Sequence, residues 1–273
     1  MLAISNCSSL RPRIPRVFPR GSRKVWLRLF LVTTLAGFGF NVSAWGGESD
    51  AKLASFAAHA RDIFAAAQKR HLAEPTNAVA AWEFARACFD RAEYATNDAE
   101  RVSVADQGIA ACRRLVARQT GSAPAHYYLG MNLGQLARTK TLGALRIVDE
   151  MEREFKAARQ LDEHLDFAGP DRNLGLLYYE APAFASVGSR SKARQHLQRA
   201  VELAPDFPEN RLNLLEACLK WADHNGAIRE LRELEKLWPQ AHTNFTGEAW
   251  TASWSDWETR AKRARKTNEE RAK

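Results

Sequence analysis

Carboxylate and imidazole side chains lie close together in the stretch LDEHLD, which contains Asp162, Glu163, His164 and Asp166. Groups of these types bind metal ions in proteins. On a helix, however, Asp162 and Asp166 share a face with neither Glu163 nor His164. The sequence also has no H-E-x-x-H, paired C-x-x-C or calcium-loop pattern. We therefore interpret this stretch as a surface charge cluster and predict no metal site.

Catalytic motifs are the next chemistry to consider. The sequence has no G-x-S-x-G, no glycine-rich phosphate loop and no motif that pairs a nucleophile with a histidine. The seven histidines are scattered, and packing or exposure explains the positions of His126 and His196. The sequence therefore predicts a protein that is not an enzyme and needs no cofactor.

The net charge of +8 is concentrated in the first 44 residues. They contain seven of the 40 basic side chains and none of the 32 acidic ones, which leaves 33 basic and 32 acidic residues in the rest. Nucleic-acid binding requires a persistent basic face. We therefore expect no nucleic-acid partner.

The same 44 residues have the three parts of an export signal. RGSRK is basic, LFLVTTLAGFGF (residues 29–40) is apolar, and VSA (residues 42–44) resembles a cleavage site. The apolar run is short for a membrane span, which needs about 20 residues. We predict cleavage after Ala44 and a periplasmic or secreted protein; the alternative is an uncleaved membrane anchor.

Three cysteines, Cys88, Cys112 and Cys218, follow the predicted signal, and an odd number does not indicate a disulfide framework. On an antiparallel hairpin that turns near Thr96, Cys88 and Cys112 are offset by roughly 10 Å along the helices. This offset exceeds disulfide reach. We predict buried free thiols.

After residue 44, Ala, Leu, Arg and Glu recur at helical spacing, and Gly and Pro are rare inside the periodic segments. Asn97 with Glu100, and Ser189 with Lys192, are typical of helix starts. The pattern predicts an all-α fold with helices at about residues 50–71, 77–95, 98–119, 123–139, 142–165, 171–181, 189–203, 208–222, 226–237 and 247–266.

An internal repeat connects two of these helices. SKARQHLQRAVELAP (residues 191–205), shifted by 34 residues, aligns with NGAIRELRELEKLWP (residues 225–239). Ala193 aligns with Ala227 and Leu197 with Leu231, which allows close packing against a preceding helix. Pro205 and Pro239 are both expected to end their helices.

The preceding helices share a second pattern. YYLGMNL and RNLGLLYY each have a Leu-Gly pair, with Gly130 and Gly175 expected at close helix contacts. Over roughly residues 76–239 the chain resembles the tetratricopeptide-repeat (TPR) family. The resemblance implies a helical-hairpin solenoid, residues 45–246, in which helical hairpins stack side by side.

Several hairpins exceed the 34-residue repeat, including the one that contains EAPAFAS. With PAHYYLGMNLG and GPDRNLGLLYYEAPAF, these lengthened hairpins resemble the TPR proteins associated with TRAP-type transporters, the TatT family. This narrower resemblance implies an accessory transporter subunit. Its ligand would be a solute-binding protein or a small apolar molecule, bound in a pocket around Tyr178, Tyr179 and Phe184.

In TPR proteins the first helix of each hairpin lines a concave groove that binds a protein or peptide partner. The resemblance assigns polar and aromatic side chains to that groove, where they can bind a peptide by hydrogen bonds and stacking. They could equally form a solvated face. The predicted groove residues are Tyr127, Tyr128, Arg172, Asn173, Tyr179, Glu209, Asn213, Glu216 and Lys220, with Gln135 and Glu180 beside them.

The C-terminal segment, residues 247–273, is predicted to cap the solenoid. Trp250, Trp254 and Trp257 fall on one helical stripe and are expected to cover the last repeat, with Arg260 facing water. A membrane-interface helix is the alternative. The basic tail could make at most a peripheral contact with an anionic surface.

Two functions remain open at this point. The first is an exported, non-catalytic scaffold that binds a protein or peptide. The second is the transporter subunit.

Overall fold

The computed structural model describes residues 47–140, 143–184 and 186–271, and over these ranges the chain forms ten α-helices and no β-strand. The predicted all-α fold is confirmed, and the predicted export signal lies outside the described residues. The helices are α1 (Gly47–Ala73), α2 (Ala78–Glu93), α3 (Asp98–Arg118), α4 (Ala123–Ala137), α5 (Ala144–Leu161), α6 (Leu165–Glu180), α7 (Arg190–Leu203), α8 (Pro208–Lys220), α9 (His224–Asn244) and α10 (Thr251–Arg271).

The helices pack as successive pairs: α2 with α3, α4 with α5, α6 with α7, and α8 with α9. The first helices of neighbouring pairs also contact one another, so α2, α4, α6 and α8 form one row, which we call the A row. Helix α1 packs on α2, and α10 packs on α8 and α9 at the other end of the stack. This arrangement is the predicted helical solenoid.

Small residues let the paired helices approach closely, as the repeat pattern predicts. A Cβ atom added to Gly130 would lie 2.6 Å from the Phe155 ring of α5. A Cβ atom added to Gly175 would lie 2.7 Å from Leu197 of α7. Any side chain at either glycine would therefore separate the helices of its pair.

The predicted helix end at Pro239 is wrong, because α9 continues through this proline to Asn244. Proline removes one helical hydrogen bond and strains the preceding turn. Ala241 and Phe245, just beyond it, are both buried. Burial of these residues offsets the cost of the proline, whereas α7 ends before Pro205 as predicted.

The junction between α5 and α6 also differs from its prediction. Helix α5 ends at Leu161, and Asp166, Phe167 and Ala168 have left-handed backbone angles with φ of 62°, 52° and 59°. Each such residue costs about 1–2 kcal/mol when it is not glycine. Asp166 is buried here and does not belong to a surface charge cluster. Tertiary contacts must therefore hold this turn.

The connection from α6 to α7 is the lengthened hairpin EAPAFAS. The Ser189 N–H donates to the Tyr178 carbonyl oxygen at 2.9 Å. A Cβ atom on Gly188 would lie 2.0 Å from the Ala181 carbonyl oxygen, so only glycine fits at this point. The two ends of the connection are therefore fastened together, and Phe184 projects from it with 88% of its surface exposed.

At the C-terminus the tryptophan stripe faces the protein's own core. Trp250 and Trp257 are buried, and Trp254 donates its indole N–H to the Phe245 carbonyl oxygen at 2.7 Å. The Phe207 ring lies 5.5 Å from Trp257 and 6.2 Å from Trp250. Trp250 belongs to a 3-10 turn that precedes α10.

The three described cysteines are free and buried, as predicted. Burial raises the pKa of each thiol, for Cys218 to about 11. They therefore pack as small apolar side chains.

None of the helices in the described ranges combines the length and the apolar character that crossing a membrane requires.

Candidate functional site

The predicted groove residues lie on α4, α6 and α8, but most of them are covered by the chain itself. Asn173 and Tyr179 are half-buried and Lys220 is exposed. A partner can therefore reach these three directly in this conformation, and the binding role of the set stays a prediction. The other six are buried: Tyr127, Tyr128, Arg172, Glu209, Asn213 and Glu216.

Arg172 is buried because it holds the left-handed turn at the start of α6. Its Nη2 lies 2.7 Å from Asp166 Oδ2, and its Nη1 donates to the carbonyl oxygens of Asp166 and Phe167 at 3.1 Å. The Tyr127 hydroxyl of α4 donates to the same Asp166 carboxylate. These bonds tie α4 to the turn and offset its backbone strain.

The same guanidinium reaches the next helix of the A row. Arg172 Nη1 donates to Asn210 Oδ1 of α8 at 3.2 Å, and its guanidinium lies 5.3 Å from the Phe207 ring centre. Asn210 in turn donates to the carbonyl oxygens of Phe167 and Ala200. Arg172 therefore joins α4, α6 and α8 from inside the stack, a structural role that its groove assignment missed.

The side chains of Asn213 and Glu216 form hydrogen bonds with Arg260 of α10. Arg260 binds Glu216 with two hydrogen bonds, Nε to Oε1 at 3.0 Å and Nη2 to Oε2 at 2.6 Å. Its Nη2 also donates to Asn213 Oδ1 at 2.7 Å, and Nη1 to Asp256 at 3.2 Å. The prediction that Arg260 faces water is wrong, because this side chain is only 4% exposed.

Electrostatics keep the buried Arg260 charged. Burial by itself disfavours the guanidinium cation, but the carboxylates of Glu216 and Asp256 outweigh this effect and raise the pKa of Arg260. One sequence signal could have located this residue: it follows Trp257 by one helical turn and therefore borders the buried stripe.

Asn173 is one of the accessible predicted residues. Its Nδ2 donates to the Tyr127 hydroxyl and to the Gly169 carbonyl oxygen, both at 2.9 Å. An amide nitrogen carries two hydrogens, so both are used inside the protein. The side-chain oxygen is the atom that can accept a hydrogen bond from a partner.

Tyr179 and Lys220 lie together at the other end of α6 and α8. Lys220 Nζ lies 4.1 Å from the centre of the Tyr179 ring, and the Trp221 ring meets the Tyr179 ring edge-on at 5.8 Å. A cation on an aromatic face stays charged and becomes better ordered. This pair can present a positive charge to an anionic group of a ligand.

The A row carries a further accessible aromatic residue that the groove prediction missed. Trp82 of α2 is half-buried and stacks on Tyr128 of α4, with ring centres 5.9 Å apart and planes within 6°. Stacked rings that remain partly accessible can pack against an apolar side chain of a ligand. The accessible part of the A row thus extends from Trp82 to Lys220.

One carboxylate of α6 has two basic partners from neighbouring helices. Asp171 is fully buried and accepts bonds from Arg159 Nε at 2.9 Å and His196 Nδ1 at 2.6 Å. The His196 ring also stacks on Tyr178. These contacts join α5, α6 and α7.

The three residues around which an apolar pocket is predicted differ in their exposure, and the pocket stays a prediction. Tyr178 is buried and donates to Glu152 at 2.6 Å, Tyr179 is half-buried, and Phe184 projects into solvent. Among the described residues no group of three His, Cys, Asp or Glu side chains is arranged to hold a metal ion.

Comparisons with known proteins give matches at the level of the fold. No family model matches this sequence, and no curated protein matches it. The solved structure of TTC0263, a thermophilic TPR protein of Thermus thermophilus, is similar with a TM-score of 0.58 and 17% identity, covering 80% of this chain and 95% of that one. The crystal structure of MamA is similar with a TM-score of 0.46 and 15% identity, covering 73% of this chain and 98% of that one.

The match to TTC0263 agrees with the stack of paired helices. The resemblance to transporter-associated proteins stays a prediction. By its architecture and its similarity to TTC0263, this chain has the fold of a TPR-like helical solenoid.

Proposed function

We propose that this protein is an exported, non-catalytic scaffold that binds a protein or peptide partner along the A row. The observation that carries the proposal is the accessible set Trp82, Asn173, Tyr179 and Lys220, which lies on α2, α6 and α8, three of the four first helices of a TPR-like stack. Stacked solenoid repeats offer extended surfaces of this kind for partner binding.

The chemistry of these residues suggests what the partner offers. Trp82 and Tyr179 provide aromatic contact area, Asn173 provides a hydrogen-bond acceptor, and Lys220 provides a positive charge. An extended segment with an apolar side chain, a free backbone N–H and a carboxylate would complement all of them. Binding of this kind fits a peptide better than a small apolar solute.

Site-specific photo-crosslinking of the full chain in envelope extract tests the proposal. A photoreactive amino acid at Tyr179 or Trp82 should capture the same partner, because both positions lie on the A row. The matched control is the exposed Gln160 of α5, in the second helix of a pair. Capture of the same partner from Gln160, or different partners from Tyr179 and Trp82, would contradict the proposal.

A second measurement separates binding from folding. Asn173→Ala and Lys220→Glu together should weaken the purified partner's affinity at least about tenfold, since charged hydrogen bonds contribute about 1.5–3 kcal/mol. The far-UV circular dichroism spectrum should stay unchanged. Unchanged affinity in this double variant would count against the A row as the binding surface.

A further inference from the structure

The connection between α6 and α7 carries an exposed aromatic side chain on a fastened loop. The described residues of this connection, 181–184 and 186–187, include no charged side chain. Ala183 and Phe184 are exposed, and the bond from Ser189 N–H to Tyr178 O holds the base of the loop. The loop therefore presents an uncharged apolar tip that the other described residues do not cover.

Four cations lie on aromatic rings of residues that precede the loop or contact those residues, namely Tyr178, Tyr179 and Trp221. Lys192 Nζ lies 5.1 Å from the Tyr178 ring centre and Lys220 Nζ 4.1 Å from that of Tyr179. Arg190 and Arg194 lie 5.4 Å and 5.0 Å from the Trp221 ring centre. We call Arg190, Lys192, Arg194 and Lys220 the cationic collar.

The collar leaves an excess of positive charge at the surface. Helix α7 contains Arg190, Lys192, Arg194 and Arg199 but only one carboxylate, Glu202. Arg194 pairs with Asp223 at 2.7 Å, whereas Arg190, Lys192 and Lys220 are all exposed. The collar thus adds cations that remain accessible to anions to the chain segments on both sides of the apolar tip.

We propose that this surface docks on an anionic lipid bilayer, with Phe184 inserted between the lipids and the collar on their headgroups. Aromatic residues prefer the boundary between headgroups and acyl chains. Exposed lysines and arginines near an anionic surface add electrostatic attraction. A protruding apolar tip next to exposed cations complements a flat anionic surface.

This site differs from the basic C-terminal tail that the sequence indicated for a peripheral membrane contact. In the tail, Arg260 is buried, Arg265 pairs with Glu235 at 3.2 Å, and Arg271 donates to the Leu219 carbonyl oxygen. Three of the tail's cations therefore already have partners within the chain. The α6–α7 connection and the cationic collar together combine exposed charge with an exposed aromatic ring.

Fluorescence from a dye at the loop tip tests the proposal in the full chain. Phe184→Cys in a Cys7→Ser background places one accessible thiol on the tip, because the three described native cysteines are buried. Vesicles of phosphatidylcholine mixed with phosphatidylglycerol should shift the dye emission to the blue. Vesicles of phosphatidylcholine alone should not, and high salt should reverse the shift.

Matched variants make the result specific to this surface. In the labelled chain, Lys192→Glu should weaken partitioning at least about fivefold, since each cation contributes about 1 kcal/mol near an anionic surface. Lys262 lies on the exposed face of α10. Lys262→Glu should change partitioning by less than about twofold relative to the labelled chain, as expected for a charge that does not reach the membrane. A dye on Leu72→Cys, where the apolar side chain is 73% exposed in α1, should show no shift.

Three outcomes would overturn the proposal. One is no emission change at position 184 on the anionic vesicles, which would also be the result if the tip fits a protein pocket. The second is an equal change for the dye at position 72. The third is an equal loss of partitioning in Lys192→Glu and Lys262→Glu.

Discussion

The two ends of the solenoid are closed in different ways. At the C-terminal end, α10 buries Trp250 and Trp257 and inserts Arg260 between Asn213 and Glu216. At the N-terminal end, α1 packs on α2 through a smaller cluster that includes Phe64, and Leu53, Ile63 and Leu72 of α1 stay exposed.

This difference shows how a stack of repeats obtains a defined end. Each repeat buries its apolar surface on its neighbours, so the last one needs a helix that covers one face and is polar on the other. Helix α10 meets this need with buried aromatic rings and a buried ion pair. Helix α1 meets it only in part, so we expect the N-terminal end to open more readily.

The largest expected loss of stability comes from Trp257→Ala. Trp257 is 1% exposed and contacts Phe207, Phe245 and Trp254, so its removal leaves a large cavity. We expect the free energy of unfolding, measured by urea denaturation, to fall by about 3–5 kcal/mol. Phe64→Ala in the N-terminal cluster should cost only about 1 kcal/mol, because Phe64 is half-buried. Equal losses would remove the distinction between the two ends.

The next largest loss of stability is expected when a buried ion pair is broken, and an exposed ion pair serves as the comparison. Arg260 and Glu216 are 4% and 6% exposed in their side chains, whereas Arg70 and Glu83, which join α1 to α2, are 44% and 30% exposed. Arg260→Ala should lower the free energy of unfolding by about 3 kcal/mol, because it leaves a buried carboxylate without its partner. Arg70→Ala should lower it by less than about 1 kcal/mol.

A control variant separates charge from packing at Arg260. Arg260→Met combined with Glu216→Leu should recover most of the loss, since apolar residues can replace a buried ion pair. A double variant as unstable as Arg260→Ala would show that shape, and not the unpaired charge, determines the cost.

We expect the stability of the N-terminal end to depend on pH through His71. His71 is buried and stacks on Phe84 at 5.2 Å. Burial and the nearby Arg114 and Arg118 lower the pKa of His71 from its ordinary 6.5. The neutral form is thus favoured in the folded state, so its stabilisation is present above pH 6.5 and is lost as the pH falls through the lower folded-state pKa.

Urea midpoints at pH 7 and pH 5 check this prediction. His71→Phe keeps the stacked ring but has no titrating group, so the variant should lose less stability than the parent chain over this interval. The groups that titrate elsewhere are common to both proteins and cancel in the comparison. An equal loss in both would show that His71 does not carry the pH effect.

The smallest effect is expected for Leu72→Ser. Leu72 is 73% exposed near the end of α1, so its removal uncovers little buried surface. The free energy of unfolding should change by less than about 0.5 kcal/mol. A larger loss would mean that the N-terminal end is covered by something beyond the described residues.

Local periodicity was enough to predict most of the architecture. The Leu-Gly pairs and the aligned alanines indicated which residues touch between paired helices, and Gly130 and Gly175 contact Phe155 and Leu197 accordingly. The predicted cap at Asn97 also forms, with the Glu100 N–H donating to its side chain at 2.9 Å. Helix starts and close contacts depend on neighbouring residues, so sequence patterns can reveal them.

The candidate site was predicted less well. A helical pattern shows which residues share a face but not what covers that face, so the buried Arg172, Asn213 and Glu216 were assigned to an open groove. The left-handed turn at Asp166 has no sequence signal comparable to a glycine, because Arg172 stabilises it from six residues away.

By itself, the amino-acid sequence determined the helices, their pairing and the small residues at their contacts, because 3.6-residue periodicity and side-chain volume act over short distances along the chain. Only the tertiary structure decided which polar side chains are covered. Arg260 lies 44 residues from Glu216, and Arg172 lies 45 from Tyr127. Such contacts depend on how distant helices pack together, and the free energy of burying a charge depends on the partner that packing supplies.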